Sequence, residues 1–336
     1  MLAVRFTRCG APAEVLELTD VPTPRPGQGE VLVEMQLAPI NPSDRMFVSG
    51  SYGIQPELPA TPGFEGIGRV IGAGPGLLGR LLLGRRVAVG CRTGGTWAQQ
   101  VVAPAKSCIP LPGGISPQEG AVALVNPCTA FLLVRGTRRL GPGDVLIQTA
   151  AASHVGRMLV RLSQRFGFRV VSIVRRAAQV ELLAAFGATD ILCCTDMQLT
   201  SLQQLRHELR GRLGSQAASH VVDAVGGPLG STLLSFLKPG GQFTSYGTLS
   251  DKPLDVSPRE LIASDLRLDG FWLGTAMDRL SLLGKVRLIR QVTSLIQQGV
   301  LASGEFREFP LDQIADAIAA STAPESSRVL LQLPPS

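Results

Sequence analysis

The chain has 336 residues, 45% hydrophobic and 17% charged, with a formal net charge of +6 and an isoelectric point near 9.3. That length predicts two domains, each large enough to bury its own core, with a composition ordinary for a globular α/β protein. The basic residues are scattered rather than massed, so no nucleic-acid surface is expected; no apolar run is long enough to span a bilayer, so no membrane partner is expected either.

Residues 1–40 alternate apolar and polar in short runs, as in Val15-Leu16-Glu17-Leu18 and Val31-Leu32-Val33-Glu34-Met35, separated by Pro22, Pro24, Pro26 and Gly27. Alternation with turn residues between predicts β-rich structure. Asn41-Pro42-Ser43-Asp44 reads as an N-cap opening a short helix. Gly63, Gly66 and Gly68 then bring strands close together ahead of Val70 and Val87-Ala88-Val89, and Trp97, Val101, Val102 and Ile109 continue the pattern. A helical bridge over 115–140 carries the chain into a second domain.

The most informative stretch runs from Gly143 to Arg176. Val145-Leu146-Ile147 predicts a strand buried on both faces. Small residues follow, then an amphipathic helix carrying Met158, Leu159, Leu162 and Phe166 and closed by Gly167, then a second strand over Arg169–Val174. Strand, tight turn, helix and strand make the first unit of a dinucleotide-binding sheet, whose helix N-terminus favours a pyrophosphate. The fingerprint is degenerate: of the small positions Ala150, Ser153 and Gly156, only the last is glycine. The second strand ends in Arg175-Arg176, where an NAD-preferring site carries an acid. Two guanidiniums suit the 2′-phosphate of NADPH; the alternative is a solvated basic strand end.

Further strands are predicted at Ile191-Leu192, His220–Val225 and Gln242–Gly247, a turn at Lys238-Pro239-Gly240-Gly241, helices over 286–298 and 311–320, and a last strand over Arg328–Gln332 that returns to the first domain. Strands alternating with helices argue for a parallel, doubly wound sheet. The six cysteines form no C-x-x-C pair and Cys193-Cys194 are adjacent, so reduced thiols are expected. The opening MLAVRFTRCG has no apolar signal core, and a cytoplasmic location is expected.

Taken together, INPSD (40–44), GSYGIQPELPA (50–60), GTW (95–97), NPCTA (126–130), VGR (155–157), SYG (245–247), GFWL (270–273) and SSR (326–328) resemble the medium-chain dehydrogenase/reductase superfamily over the whole chain. The likeness is strongest to its trans-2-enoyl-thioester (enoyl-CoA) reductases, with zinc-free quinone reductases next. The resemblance implies a GroES-like β domain at residues 1–126 and 273–336 and a Rossmann domain at 127–272. It implies NADPH-dependent reduction of the double bond of an enoyl-CoA, an enoyl-acyl-carrier-protein or another conjugated carbonyl substrate, and a homodimer. Gly63-Phe64-Glu65 stands where zinc enzymes of the superfamily carry a G-H-E ligand motif, and their four-cysteine lobe is missing, so no metal is expected.

Carried over residue by residue, the resemblance makes Tyr52 the catalytic acid, since a phenol is protonated at neutral pH and can meet a growing oxyanion. It puts Ala152, Ser153, His154 and Val155 at the pyrophosphate, Arg175 and Arg176 at the 2′-phosphate, and Asn126, Tyr246, Gly247, Phe271, Trp272 and Leu273 at the nicotinamide. Arg328 falls near the phosphates or the active-site floor. Residue chemistry alone leaves other uses open: Tyr52 as a loop aromatic, Asn126 as a helix cap, Phe271 and Trp272 as core. The chain departs from the enoyl reductases at His154, where a glycine is usual, at Phe131 for tyrosine, at Phe64 for a polar residue and at Arg328 for lysine.

Overall fold

The computed structural model describes residues 1–136, 139–195, 199–323 and 327–334, so Ser326 of the SSR motif lies outside the described residues. It divides into two compact units, Met1–Val125 with Thr293–Ser336, and Asn126–Val292. The second crossing between the units, at 292/293, lies within the helix Leu282–Gln297.

The first unit opens with a two-stranded ribbon, β1 (Leu2–Arg5) against β2 (Glu17–Asp20). The long strand β3 (Glu30–Pro39) pairs antiparallel with β4 (Glu65–Ala73) and with β6 (Gln100–Pro104); β5 (Arg86–Gly90) and β7 (Cys108–Pro110) extend the sheet. Alternate residues of β3 turn inward, and Val31, Val33 and Met35 meet Val70, Val87, Trp97 and Ala103 in a fully buried core. The glycines of β4 are there for space: a Cβ at Gly66 would meet Met35 and the carbonyl of Leu37 within 2.8 Å.

The second unit is a six-stranded parallel sheet built from β8 (Val145–Gln148), β9 (Arg169–Val174), β10 (Ile191–Cys193), β11 (Ala218–Asp223), β12 (Leu237–Ser245) and β13 (Arg267–Gly270). Its order, β10-β9-β8-β11-β12-β13, reverses between β8 and β11, the topological switch point of a doubly wound fold. The helix His154–Phe166 follows β8 and buries Met158, Leu159 and Leu162; Gly167 ends it in the left-handed region at φ 77°. Lys238–Gly241, expected as a turn, belongs to β12, and Gly240 supplies a positive φ there. The chain returns to the first unit, as the sequence leads one to expect, in β14 (Phe306–Pro310) and β15 (Arg328–Gln332); β15 pairs parallel with β14 and antiparallel with β3.

Candidate functional site

In the second unit, the turn after β8 is built for close approach. Ala150 adopts φ 47°, a conformation that favours glycine, which accounts for the degenerate fingerprint reading as a turn all the same. Ser153 is the N-cap of the helix His154–Phe166, and its hydroxyl accepts the N–H of Gly156 at 3.2 Å. A side chain at Gly156 would collide with the carbonyl of Ala151, so the helix packs against the turn as only glycine permits. The buried Gln148 amide donates to Gly156 O and to Ser172 Oγ, tying turn to sheet. Ala152 and His154 are half-buried and Val155 is buried, so His154 stands at the first helical position without opening the turn.

At the end of β9, Arg175 and Arg176 are both exposed. Their backbone N–H groups donate to Gln179 Oε1, which fixes the strand end while the guanidiniums face solvent. Across the switch point, Thr149 Oγ1 donates to Asp223 Oδ1 at 2.6 Å and accepts the N–H of Ala224. Asp223 accepts two further N–H groups, from Val225 and Gly226. This clasp between the ends of β8 and β11 was not legible in the sequence, because its two residues are 74 apart. Tyr246 follows β12 and donates its N–H to the carbonyl of Asp223. Its hydroxyl is buried near Ser153 without a hydrogen-bond partner among the described residues, and burial raises its pKa above the ordinary phenol value. At Gly247 a Cβ would come within 2.9 Å of the carbonyl of Ala224.

Phe271 and Leu273 are half-buried and Trp272 is 37% exposed, which removes core packing as the use of that tryptophan. Phe271 donates its N–H to Ser245, and Trp272 is the N-cap of the helix Leu273–Asp278. Asn126 lies in the first turn of the helix Val125–Arg135 rather than before it, so the cap reading fails there. An orphaned Tyr246 hydroxyl, a glycine-tight turn and two solvent-facing arginines at the second strand end fit a phosphorylated dinucleotide.

In the first unit, Tyr52 sits in the loop after the helix Pro42–Ser49. Gly50 ends that helix at φ 77°, and the N–H groups of Ser51 and Tyr52 return to the carbonyl of Met46. The half-buried Tyr52 ring lies on Phe64 at 5.1 Å between centroids; Phe64 meets Phe47 edge-on, and Phe47 meets Phe6 likewise. Phe64, the residue at the histidine position of the zinc enzymes, thus serves as the platform under Tyr52. Among the described residues no group of three or more His, Cys, Asp or Glu is placed to hold a metal ion.

Beneath that platform lies a buried charge cluster that sequence reading missed. Asp44 accepts the N–H of Asn41 at 2.6 Å and the N–H of Phe64 at 3.0 Å. Asn41 is the helix N-cap as expected, but its amide is diverted to Glu65 Oε1, and Asp44 does the capping. Glu65 Oε2 accepts the N–H groups of Leu124 and Val125. Burial drives the Asp44 carboxyl up to about 7, and drives Glu65 up as well, against the opposing pull of Arg328. Arg328, expected near the phosphates or the active-site floor, is 4% exposed with Nη2 3.6 Å from Glu65 Oε1. Its charge is taken up by Glu65, Asp44 and Glu119 inside the unit, so the structure makes it a counter-charge to buried carboxylates.

Residues 27–113 match the family model of the alcohol dehydrogenase GroES-like domain, and residues 155–286 that of the zinc-binding dehydrogenases. The mitochondrial enoyl-acyl-carrier-protein reductase of Bos taurus is 32% identical over 98% of this chain and 88% of its own length. A mycobacterial protein solved in complex with NADPH is 26% identical at a TM-score of 0.85, covering 99% of this chain and 100% of that one. The quinone oxidoreductase of Escherichia coli, also solved with NADPH, is 23% identical at a TM-score of 0.88 over 99% and 100% of the two chains, a likeness of fold.

Proposed function

Because the chain belongs to the medium-chain dehydrogenase/reductases, in the family of the mitochondrial enoyl-acyl-carrier-protein reductases, we propose that it is an NADPH-dependent reductase of the carbon–carbon double bond of 2-enoyl thioesters. NADPH, when bound, supplies the hydride that reaches the β-carbon. The chain's own part is to hold that cofactor and to manage the proton. Ser153, His154 and the Gly156 turn receive the pyrophosphate at a helix N-terminus. Arg175 and Arg176, exposed at the end of β9, pair with the 2′-phosphate. Tyr246, Gly247, Asn126, Phe271, Trp272 and Leu273 line the nicotinamide, and the orphaned Tyr246 hydroxyl supplies a hydrogen bond there.

The observation that carries the catalytic half of the reading is Tyr52. A protic side chain on an ordered aromatic platform, in a loop pinned by Gly50, can hydrogen-bond the enolate oxygen and deliver a proton to the α-carbon without a metal. NADPH oxidation is measured with crotonyl-CoA, a longer 2-enoyl-CoA and a small ortho-quinone, then repeated with NADH. Thioester turnover with NADPH is expected, and Tyr52→Phe lowers kcat by about 10²-fold or more while the ring keeps its place on Phe64. Undiminished turnover in that variant rejects Tyr52 as the acid.

The second reading is a quinone reductase of the same fold, favoured by the apolar Phe64 where a flat ring could stack beside Tyr52. Quinone turnover alone selects it. We also propose a homodimer joined at β13, an edge strand whose four residues are all exposed. Six cysteines outside any disulfide among the described residues fit a reducing compartment, which is cytoplasm on the sequence reading and mitochondrion if this chain follows the bovine relative's name.

A further inference from the structure

Between β4 and β5 the first unit carries a short helix, Leu77–Leu82, set off by Gly76 at φ 137° and Gly84 at φ 72°. One side of it is anchored. Leu82 is 4% exposed in the core with Val31, Val70 and Val87, and a Cβ at Gly79 would press on Ala73 and Val31 at 3.3 Å. The other side is a sheet of aliphatic surface. Leu77 is 75% exposed and Leu81 61%, and Leu78, Leu83 and Ile71 are each above 40%. Because the buried side fixes the helix, these leucines face water by construction and not through fraying.

Their surroundings are cationic. From Gly66 to Gln118 the chain has no Asp or Glu, but it has Arg69, Arg80, Arg85, Arg86, Arg92 and Lys106. Arg69 donates to Gly84 O and Arg85 to Leu81 O, so two guanidinium side chains are gathered at the C-terminal end of the leucine helix, and Arg80 is exposed within it. On the neighbouring strand, Glu34 lies opposite Arg69 in the β3–β4 register, and Glu30 accepts the N–H of Gly27.

We propose that this face docks on an anionic phospholipid surface. Exposed apolar side chains gathered on one face and rimmed by polar residues are the mark of an interaction site. Protein-binding hot spots are rich in Trp and Tyr and poor in Leu, whereas this patch has five aliphatic residues and no aromatic one. Aliphatic side chains rimmed by arginine are what an acyl–headgroup boundary rewards, and the positive charge of the patch complements anionic headgroups. The chain as a whole, at +6, is not repelled from such a surface. No described helix is long and apolar enough to cross a membrane, so the contact is peripheral.

The test is co-flotation of the full chain with phosphatidylcholine vesicles, with and without phosphatidylglycerol, at low and high salt. The expected result is binding to the anionic vesicles only, weakened by salt. Leu77→Ser/Leu81→Ser lowers the partition coefficient about tenfold or more, and Arg80→Gln/Arg85→Gln about tenfold on anionic vesicles, with thermal unfolding and NADPH oxidation unchanged. Absence of wild-type binding overturns the proposal, as does equal binding by the leucine variant. If the leucine variant instead shifts the sedimentation coefficient while vesicles go unbound, the face is a self-association surface. If an acidic protein binds the patch and vesicles do not, the partner is a protein; either result also overturns it.

Discussion

Asp44→Asn tests the buried cluster beneath Tyr52. Asp44 is 0% exposed and accepts two backbone N–H groups, one on each of its oxygens. An amide has a single acceptor oxygen, so either Asn41 or Phe64 loses its partner, at a cost of about 1–3 kcal/mol. The same substitution removes a titration. The folded-state pKa stands at about 7 against an ordinary 3.8, so between those values the folded chain holds a proton that the unfolded chain releases. The stabilisation is therefore full below the unfolded pKa and is lost as pH rises through the folded one. Three pH units correspond to about 4 kcal/mol at most, order-of-magnitude, for this one group. The variant should thus be less stable than the wild type near about pH 4, and should match or overtake it by about pH 8 as the wild type loses the larger contribution. Glu65, also raised, leaves a residual slope of the same sign in both proteins. Urea unfolding across this range is followed by Trp97, fully buried in the first unit, in a Trp272→Phe background. A stability–pH curve for Asp44→Asn that runs parallel to the wild-type curve refutes the reasoning.

The cofactor assignments give two more tests. Replacing Arg175 and Arg176 by alanine should weaken NADPH about tenfold or more while leaving NADH binding unchanged, read by fluorescence titration with each nucleotide. Equal loss for both nucleotides would move the arginines away from the 2′-phosphate. Gly156→Ala forces a methyl group against the Ala151 carbonyl, so the turn must open; a stability loss of about 1–3 kcal/mol and a clear loss of NADPH affinity are expected by thermal unfolding and titration. Unchanged affinity would show that the turn is not the pyrophosphate seat.

The sequence by itself determined the parts whose cause is local. Val145–Ile147, the helix closed by Gly167 and Arg169–Val174 emerge where periodicity and capping put them, and the last strand returns to the first unit. The degenerate fingerprint was readable because Ala150 and Gly156 remain small enough for their backbone roles. Tertiary structure decided what depends on residues far apart in the chain. Thr149 finds Asp223, Phe64 becomes the floor under Tyr52, and Arg328 becomes the counter-charge of Glu65. The outward leucines of Leu77–Leu82 belong to the same class. An apolar run reads as core until the fold shows that only one side of the helix has anything to pack against. Local propensity is written along the chain, but the partner of a buried charge or an apolar face is chosen by whatever the fold brings beside it.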